Sequence, residues 1–256
     1  MNLKLNNSIS KQYKNNSQII RVITELWVKQ NGYCPNCGYE LHEFENNRPV
    51  ADFLCNNCSE EFELKSKNSK SIGNKIVDGA YHTMIERINS DNNPSFFFLT
   101  YSKSSLEVSN FLIIPNFYFV TDVIEKRNPL KENARRAGWV GCNILLKEIP
   151  KSGRIYFVKD SFIIDKNKVM EDWHKSSFLK TKNRETKGWI LDVMNCIDKI
   201  DNDEFFLKDV YQFEKILKAK YPNNNFIKDK IRQQLQLLRD RGIIEFVGRG
   251  KYRKVR

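Results

Sequence analysis

Four cysteines constrain this chain more than any other feature. Cys34, Cys37, Cys55 and Cys58 form two C-x2-C pairs with 17 residues between them, the spacing of a four-thiolate structural zinc site with no open coordination position. Each pair demands a tight turn, and one metal ion would bind the two turns together, so the segment cannot be a plain helix or strand. Structural zinc on these four thiolates is therefore expected. The remaining two of the six cysteines, Cys142 and Cys196, lie in apolar contexts and read as inert core thiols. This usage fits a reducing cytoplasm better than a disulfide-bonded secreted protein.

A second pattern is threaded through the first. Pro49-Val50-Ala51-Asp52 precedes the second cysteine pair, and Glu63-Leu64-Lys65 follows it, with ten residues between Asp52 and Glu63. On a strand, side chains two apart share a face. Glu61, Glu63 and Lys65 then lie on one side, and Phe62 and Leu64 point to the core. Phosphodiester hydrolysis requires a stabilised, highly charged transition state and a water made nucleophilic at neutral pH. A hard divalent cation such as Mg2+, held by carboxylate and carbonyl oxygens, supplies both. Asp52, Glu63 and the Leu64 carbonyl are the expected ligands. Lys65 would orient the water and offset developing charge, as a charged positioner more than as a free base. An isolated E-x-K triplet is common in a lysine-rich chain; the upstream aspartate, the cysteine pair between them and the alternation give this one weight. The arrangement is that of a PD-(D/E)XK nuclease centre wrapped around a zinc ribbon.

The rest of the chain agrees with a DNA-directed role. With 256 residues there is room for two modest domains, and a net charge of +12 with a pI near 9.3 points to a polyanionic partner. No leader-like apolar start and no run of 18 apolar residues is present, so a soluble cytoplasmic protein is expected, monomeric in solution and without membrane contact. Ile19, Val22, Ile23, Leu26 and Trp27 recur at helical spacing between Ser17 and Gln30. Glu25 lies on the polar side of that helix, as a solvated charge or as a further group near the metal. A polar loop follows Lys65, and Val77, Ala80, Tyr81, Met84, Ile85 and Ile88 then read as a second helix. Strands are expected at the FFFLTY run after Pro94, at Phe111 to Ile114, at Val140 to Leu146 and at Arg154 to Val158, giving a mixed sheet flanked by helices. His42, His82 and His174 have no nucleophile near them in sequence and read as ordinary residues.

Arg135-Arg136-Ala137-Gly138-Trp139 reads either as a loop pressed on DNA or as a core tryptophan after a turn glycine. The composition changes at Lys175 to Lys187, which places the boundary between domains 1–181 and 182–256. Beyond it come three helices and a hairpin, the winged helix-turn-helix order. Helices are expected around Trp189 to Ile197, Val210 to Leu217 and Phe226 to Leu238. IIEFV and KYRKV then flank the Gly248-Arg249-Gly250 turn as a two-stranded wing. Residues 221 to 256 carry ten Lys/Arg against three Asp/Glu. Opposite the apolar stripe of the third helix lie Asn225, Lys228, Asp229, Arg232, Gln233 and Gln236, of types able to read base edges, while Arg249, Lys251 and Arg253 would meet phosphates.

The segments ENNRPVADF, CPNCG, CNNCSEEFELKSK, ARRAGWVGCNI and KIRQQLQLLRDRGIIEFVGRGKYRKV resemble the DpnI-like, methyl-directed (type IIM) family of restriction endonucleases across nearly the full chain. The resemblance implies an α/β (α+β) fold: a PD-(D/E)XK mixed sheet with an embedded zinc ribbon, plus a C-terminal winged helix. It also implies cleavage of double-stranded DNA at GATC sites whose adenine carries an N6 methyl group, with both domains sensitive to the mark. Asp52, Glu63 and Lys65 fall on the family's catalytic positions, and Cys34, Cys37, Cys55 and Cys58 on its zinc ligands. Trp139 falls in its methyladenine-recognition loop. Two other classes fit less of the pattern. One is a methyl-DNA-binding regulator with an inactive nuclease centre. The other is a zinc-ribbon transcription factor in which Glu63 and Lys65 are incidental.

Overall fold

The computed structural model describes residues 1–6, 8, 15–44, 51–90 and 93–255; Pro49 and Val50 of the motif before Asp52 lie outside the described residues. The described chain forms two compact units, residues 1–147 with 152–174, and residues 148–151 with 175–256.

In the first unit, α1 (Asn16–Asn31) is capped by the Asn15 side chain, which accepts from the Ser17 amide, and it buries Ile23, Thr24, Trp27 and Val28. There follow β1 (His42–Glu43), β2 (Phe53–Leu54), β3 (Glu61–Asn68), β4 (Lys75–Ala80), α2 (Tyr81–Asn89), β5 (Ser95–Ser102), β6 (Glu107–Ile114), β7 (Ile124–Lys126), β8 (Gly141–Leu145), β9 (Ile155–Lys159), β10 (Phe162–Ile163) and α3 (Lys166–Ser176). Among the described residues, one sheet runs β1-β2-β3-β5-β6-β9-β10. Its β3–β5 pair is parallel and its other pairs are antiparallel. The central strand β5 is buried from Ser95 to Tyr101, as its unbroken apolar run requires. One face of the sheet packs Phe62, Phe97, Phe111 and Phe157 into a ring cluster closed by Trp27 of α1. All five side chains are buried, each contributing roughly 2 to 3 kcal/mol of apolar transfer. This is the mixed sheet flanked by helices that the sequence leads one to expect.

A second sheet, β4-β8-β7, departs from the sequence expectation. Val77 and Ala80 belong to β4, not to a helix; only from Tyr81 does the chain turn helical. Their spacing matches the helical period of Met84 and Ile88, but Ile76 and Val77 are β-branched and Gly79 is a poor helix former. Pairing with β8 decides the matter: Ile76 lies opposite Ile144 and Asp78 opposite Cys142. β3 likewise continues to Asn68, into the stretch that reads as loop.

The second unit contains α4 (Arg184–Asp198), β11 (Glu204–Phe206), α5 (Leu207–Tyr211), α6 (Glu214–Lys220), α7 (Ile227–Asp240), β12 (Ile244–Gly248) and β13 (Lys251–Lys254). Within the segment at 175–187, Phe178 and Leu179 are buried and Asn183 caps α4. The expected second helix is broken into α5 and α6, and Ile216 is exposed. Phe226, expected on the apolar stripe, precedes α7 and is 71% exposed. The wing has a third strand, β11, and its order is β11-β13-β12. No helix among the described residues is long and apolar enough to cross a membrane.

Candidate active site, metal centre and nucleic-acid interface

The two cysteine pairs fold into the same kind of turn. In one, the Gly38 amide donates to the Cys34 carbonyl at 2.8 Å and the Cys34 amide to the Tyr39 carbonyl at 2.8 Å; in the other, Ser59 donates to Cys55 at 2.7 Å and Cys55 to Glu60 at 2.9 Å. The residue after each second cysteine is left-handed, Gly38 with φ +75 and Ser59 with φ +60; glycine takes this conformation without strain, and serine takes it at a cost. The turns bring four sulfurs to within 4.8 Å of one another. The closest contacts are Cys34–Cys58 and Cys37–Cys55 at 3.4 Å and Cys37–Cys58 at 3.5 Å. These distances are far too long for a disulfide, and close to the roughly 3.8 Å edge of a thiolate tetrahedron around zinc. The donor set fits a structural zinc ion.

The second turn is also the tip of the hairpin that carries the carboxylates. Phe53 pairs with Phe62 and Leu54 with Glu61, and the Asp52 amide donates to the Phe62 carbonyl at 2.9 Å. Strand pairing therefore sets Asp52 beside the Glu63 step of β3. The Leu64 amide donates to Asp52 Oδ2 at 2.7 Å, which fixes the carboxylate plane. Lys65 Nζ is ion-paired with Glu63 Oε1 and, at 2.5 Å, with Asp78 Oδ1. Arg87 Nη1 of α2 stands 3.6 Å from Glu63 Oε2. Arg21 of α1 stands 3.6 Å from Asp52 Oδ1 and 2.6 Å from Glu25 Oε1.

Two electrostatic features bear on chemistry. Burial pushes the Glu63 carboxyl up, helped by the nearby Asp78 and Asp52 charges and opposed by Lys65. Its Oε2 is buried and accepts no hydrogen bond, with the Arg87 guanidinium 3.6 Å away as a charged neighbour, so its hydrogen-bonding capacity is unfilled, a costly state for a carboxylate oxygen. A carboxylate oxygen without a hydrogen bond, beside a second carboxylate, fits a hard divalent cation. For Lys65, burial works against the charged form, but the Glu63 and Asp78 carboxylates outweigh it and hold the ammonium above its ordinary range. A lysine so held is suited to position and neutralise charge. Glu25 is pushed up by burial and by the nearby Asp52 charge, opposed by its partner Arg21, so it is not a freely solvated charge.

Asp78, Arg87 and Arg21 escape the sequence reading. Asp78 and Arg87 reach the centre from elements that pair or pack only after the chain has folded, and no local motif marks them. The one available signal is an aspartate beside a glycine within an alternating segment.

The loop between β7 and β8, residues 127–140, carries the predicted recognition residues. It is a small closed structure: Leu130 donates to the Trp139 carbonyl and Gly138 to the Leu130 carbonyl, both at 2.9 Å. Gly138 has φ +76. Trp139 is half-buried and lies against Gly141, where an added Cβ would come within 2.8 Å of its ring. The Arg136 guanidinium covers the ring at 4.8 Å, and Arg135 and Arg136 are exposed. Trp139 is thus neither a core tryptophan nor a free one.

In the second unit, α7 buries Ile227, Ile231, Leu235 and Leu238 and exposes Lys228, Asp229, Arg232, Gln233 and Gln236; Asn225, just before it, is exposed as well. Several of the expected DNA contacts are already engaged. Arg232 pairs with Asp229, Lys251 with Glu204, and Arg253 with Glu204 at 2.7 Å and Glu245 at 2.9 Å. Lys228 lies 3.4 Å from Glu214. Arg249 sits exposed in the turn whose Gly250 has φ +66.

Two family models match this chain: the Dam-replacing family (DpnI) over residues 1–182, and the Dam-replacing HTH domain over residues 185–254. The chain belongs to the Dam-replacing (DpnI) family. Membership makes it a methyl-dependent restriction endonuclease with a DNA-binding helix-turn-helix domain at its C-terminal end. In this DpnI-family chain the four-cysteine cluster, the carboxylate hairpin and the 127–140 loop fall within the first match, and α7 and the wing within the second.

Proposed function

We propose that the protein hydrolyses both strands of double-stranded DNA at G-(N6-methyl)A-T-C sites, residues 1–181 cutting and residues 182–256 holding the duplex. The observation that carries this reading is the meeting of Asp52, Glu63 and Lys65 on one hairpin, with Glu63 Oε2 buried and unbonded. Mg2+, held by Asp52, Glu63 and the Leu64 carbonyl, would supply Lewis-acid stabilisation of the phosphate and a water of lowered pKa. Asp52 keeps its plane through the Leu64 amide, leaving Oδ1, which has Arg21 at 3.6 Å, for a ligand. Lys65, charged and held between two carboxylates, positions the attacking water and offsets the charge that develops on the phosphate. Zinc on Cys34, Cys37, Cys55 and Cys58 fixes the hairpin tip, three residues from Asp52, and takes no part in the reaction.

Recognition is assigned to two surfaces. Arg135 and Arg136 meet phosphates or guanine edges, and Trp139 offers apolar surface to the added methyl group, worth about 1 kcal/mol per methyl. On the other surface, Asn225, Lys228, Arg232, Gln233 and Gln236 face the major groove, and Arg249, Lys251 and Arg253 meet the backbone. Lys251 and Arg253 exchange acidic partners for phosphates, and Arg232 leaves Asp229 for the groove, so each gains less than an unpaired cation.

The test is a plasmid digest with Mg2+, comparing DNA methylated at GATC adenines with unmethylated DNA, and with Asp52→Ala protein in parallel. Fragments from methylated DNA alone, and none with the variant, support the reading. Cutting of both plasmids removes the methyl requirement. Tight binding to methylated DNA without cutting identifies a regulator with an inactive centre.

A further inference from the structure

The lysine of the candidate centre is gripped from outside the hairpin that carries it. Asp78 comes from β4, in the β4-β8-β7 sheet, and its side chain is only 5% exposed. A β-bulge at Gly79 interrupts the β4–β8 register between Asp78 and Ala80. Such bulges re-aim a neighbouring side chain, and Gly79, with nothing near its Cβ position, is not there to relieve a clash. The neighbouring Val77 is 65% exposed while Asp78 points inward. A carboxylate this deeply placed is costly without a charged partner, and Lys65 at 2.5 Å supplies one.

Lys65 has two carboxylates, and they are not equivalent. Glu63 belongs to the set assigned above to the catalytic cation; Asp78 lies on another sheet and is free of that duty. We infer that Asp78 is a positioning residue, which holds the Lys65 ammonium aimed at the reacting phosphate when Glu63 is committed to the cation. The inference rests on the role proposed for Lys65. It also means the lysine is held by the sheet that carries the 127–140 loop, since Asp78 lies opposite Cys142, three residues after Trp139.

The experiment is a double-mutant cycle on the full chain: Asp78→Asn, Lys65→Met and both together, with single-turnover cleavage of methylated duplex, equilibrium binding of the same duplex without divalent metal, and melting temperature. Asp78→Asn is expected to slow cleavage roughly 10- to 100-fold with binding unchanged within about twofold, and Asp78→Glu, which keeps the charge, to recover most of the rate. In the Lys65→Met background, Asp78→Asn should cost nothing further. A readout that needs neither metal nor DNA is acylation of Lys65 by acetic anhydride, followed by mass spectrometry; loss of Asp78 should raise it several-fold. If Asp78→Asn melts below the assay temperature, Asp78→Ser goes through the same cycle. Wild-type cleavage by the Asp78 variants overturns the inference while leaving the lysine's role intact. So does an equal further loss in the Lys65→Met background, or unchanged Lys65 labelling. Wild-type cleavage by Lys65→Met overturns the lysine's role and the inference with it.

Discussion

Glu63 shows how much a single residue can say about a site. One of its oxygens is bound by the adjacent lysine, and the other is buried without a hydrogen bond. With the Arg87 guanidinium 3.6 Å from it, that oxygen has capacity left for a further ligand. Replacing Asp52 by alanine should therefore abolish cleavage, by at least ~10^2-fold on the scale of lost electrostatic groups, and leave binding of methylated DNA intact; a gel-shift titration beside the digest checks both. Asp52, Glu63 and Lys65 are legible in the sequence because the hairpin that joins them is short and strand alternation fixes which side chains share a face. Arg21 and Asp78 are not, because their approach depends on how α1 and β4 pack, and no spacing along the chain encodes that.

At the scale of elements, the hairpin and its cysteine turn act as one unit. The tip closes through the Cys55–Glu60 and Ser59–Cys55 hydrogen bonds, and the sulfurs tie it to the first turn. Removing zinc with a zinc-selective chelator, Mg2+ being kept in excess, should lower the melting temperature and extinguish cleavage together, with zinc addition restoring both; loss of zinc with an unaltered melting curve would remove the structural role. The 127–140 loop makes a second prediction of this kind. A methyl group added at Gly141 would stand 2.8 Å from the Trp139 ring, so Gly141→Ala must push the tryptophan aside. Discrimination between methylated and unmethylated sites should fall severalfold, and Trp139→Ala should fall with it, as competition cleavage would show. β4 is the element least legible in sequence: its apolar positions keep time with those of α2, and only the pairing of Ile76 with Ile144 settles which period applies. The break between α5 and α6 is hidden for a related reason, since Phe213 keeps the apolar rhythm through the turn.

For the molecule as a whole, charge is the property that carries from sequence to function with least loss. The chain carries +12, and residues 221 to 256 hold ten Lys/Arg against three Asp/Glu. Yet the formal count overstates what DNA will meet, because Arg232, Lys251 and Arg253 are each paired with an acidic neighbour. A cation that leaves one carboxylate for one phosphate releases a DNA counterion but strands its former partner near the backbone. Arg249, exposed in the wing turn, carries no such handicap. Arg249→Ala should therefore weaken binding to any duplex and reduce the slope of log affinity against log salt by about 1. Lys251→Ala should weaken it less, because Glu204 keeps Arg253 as its partner. Gln236→Ala, on the exposed face of α7, should leave the salt slope unchanged and cost about 1 to 3 kcal/mol at one base position only. Fluorescence anisotropy over a salt series, on a GATC duplex and on a scrambled one, separates the three. If all three variants lose affinity equally on both duplexes, α7 does not read bases, and the helix-turn-helix domain holds DNA by charge alone.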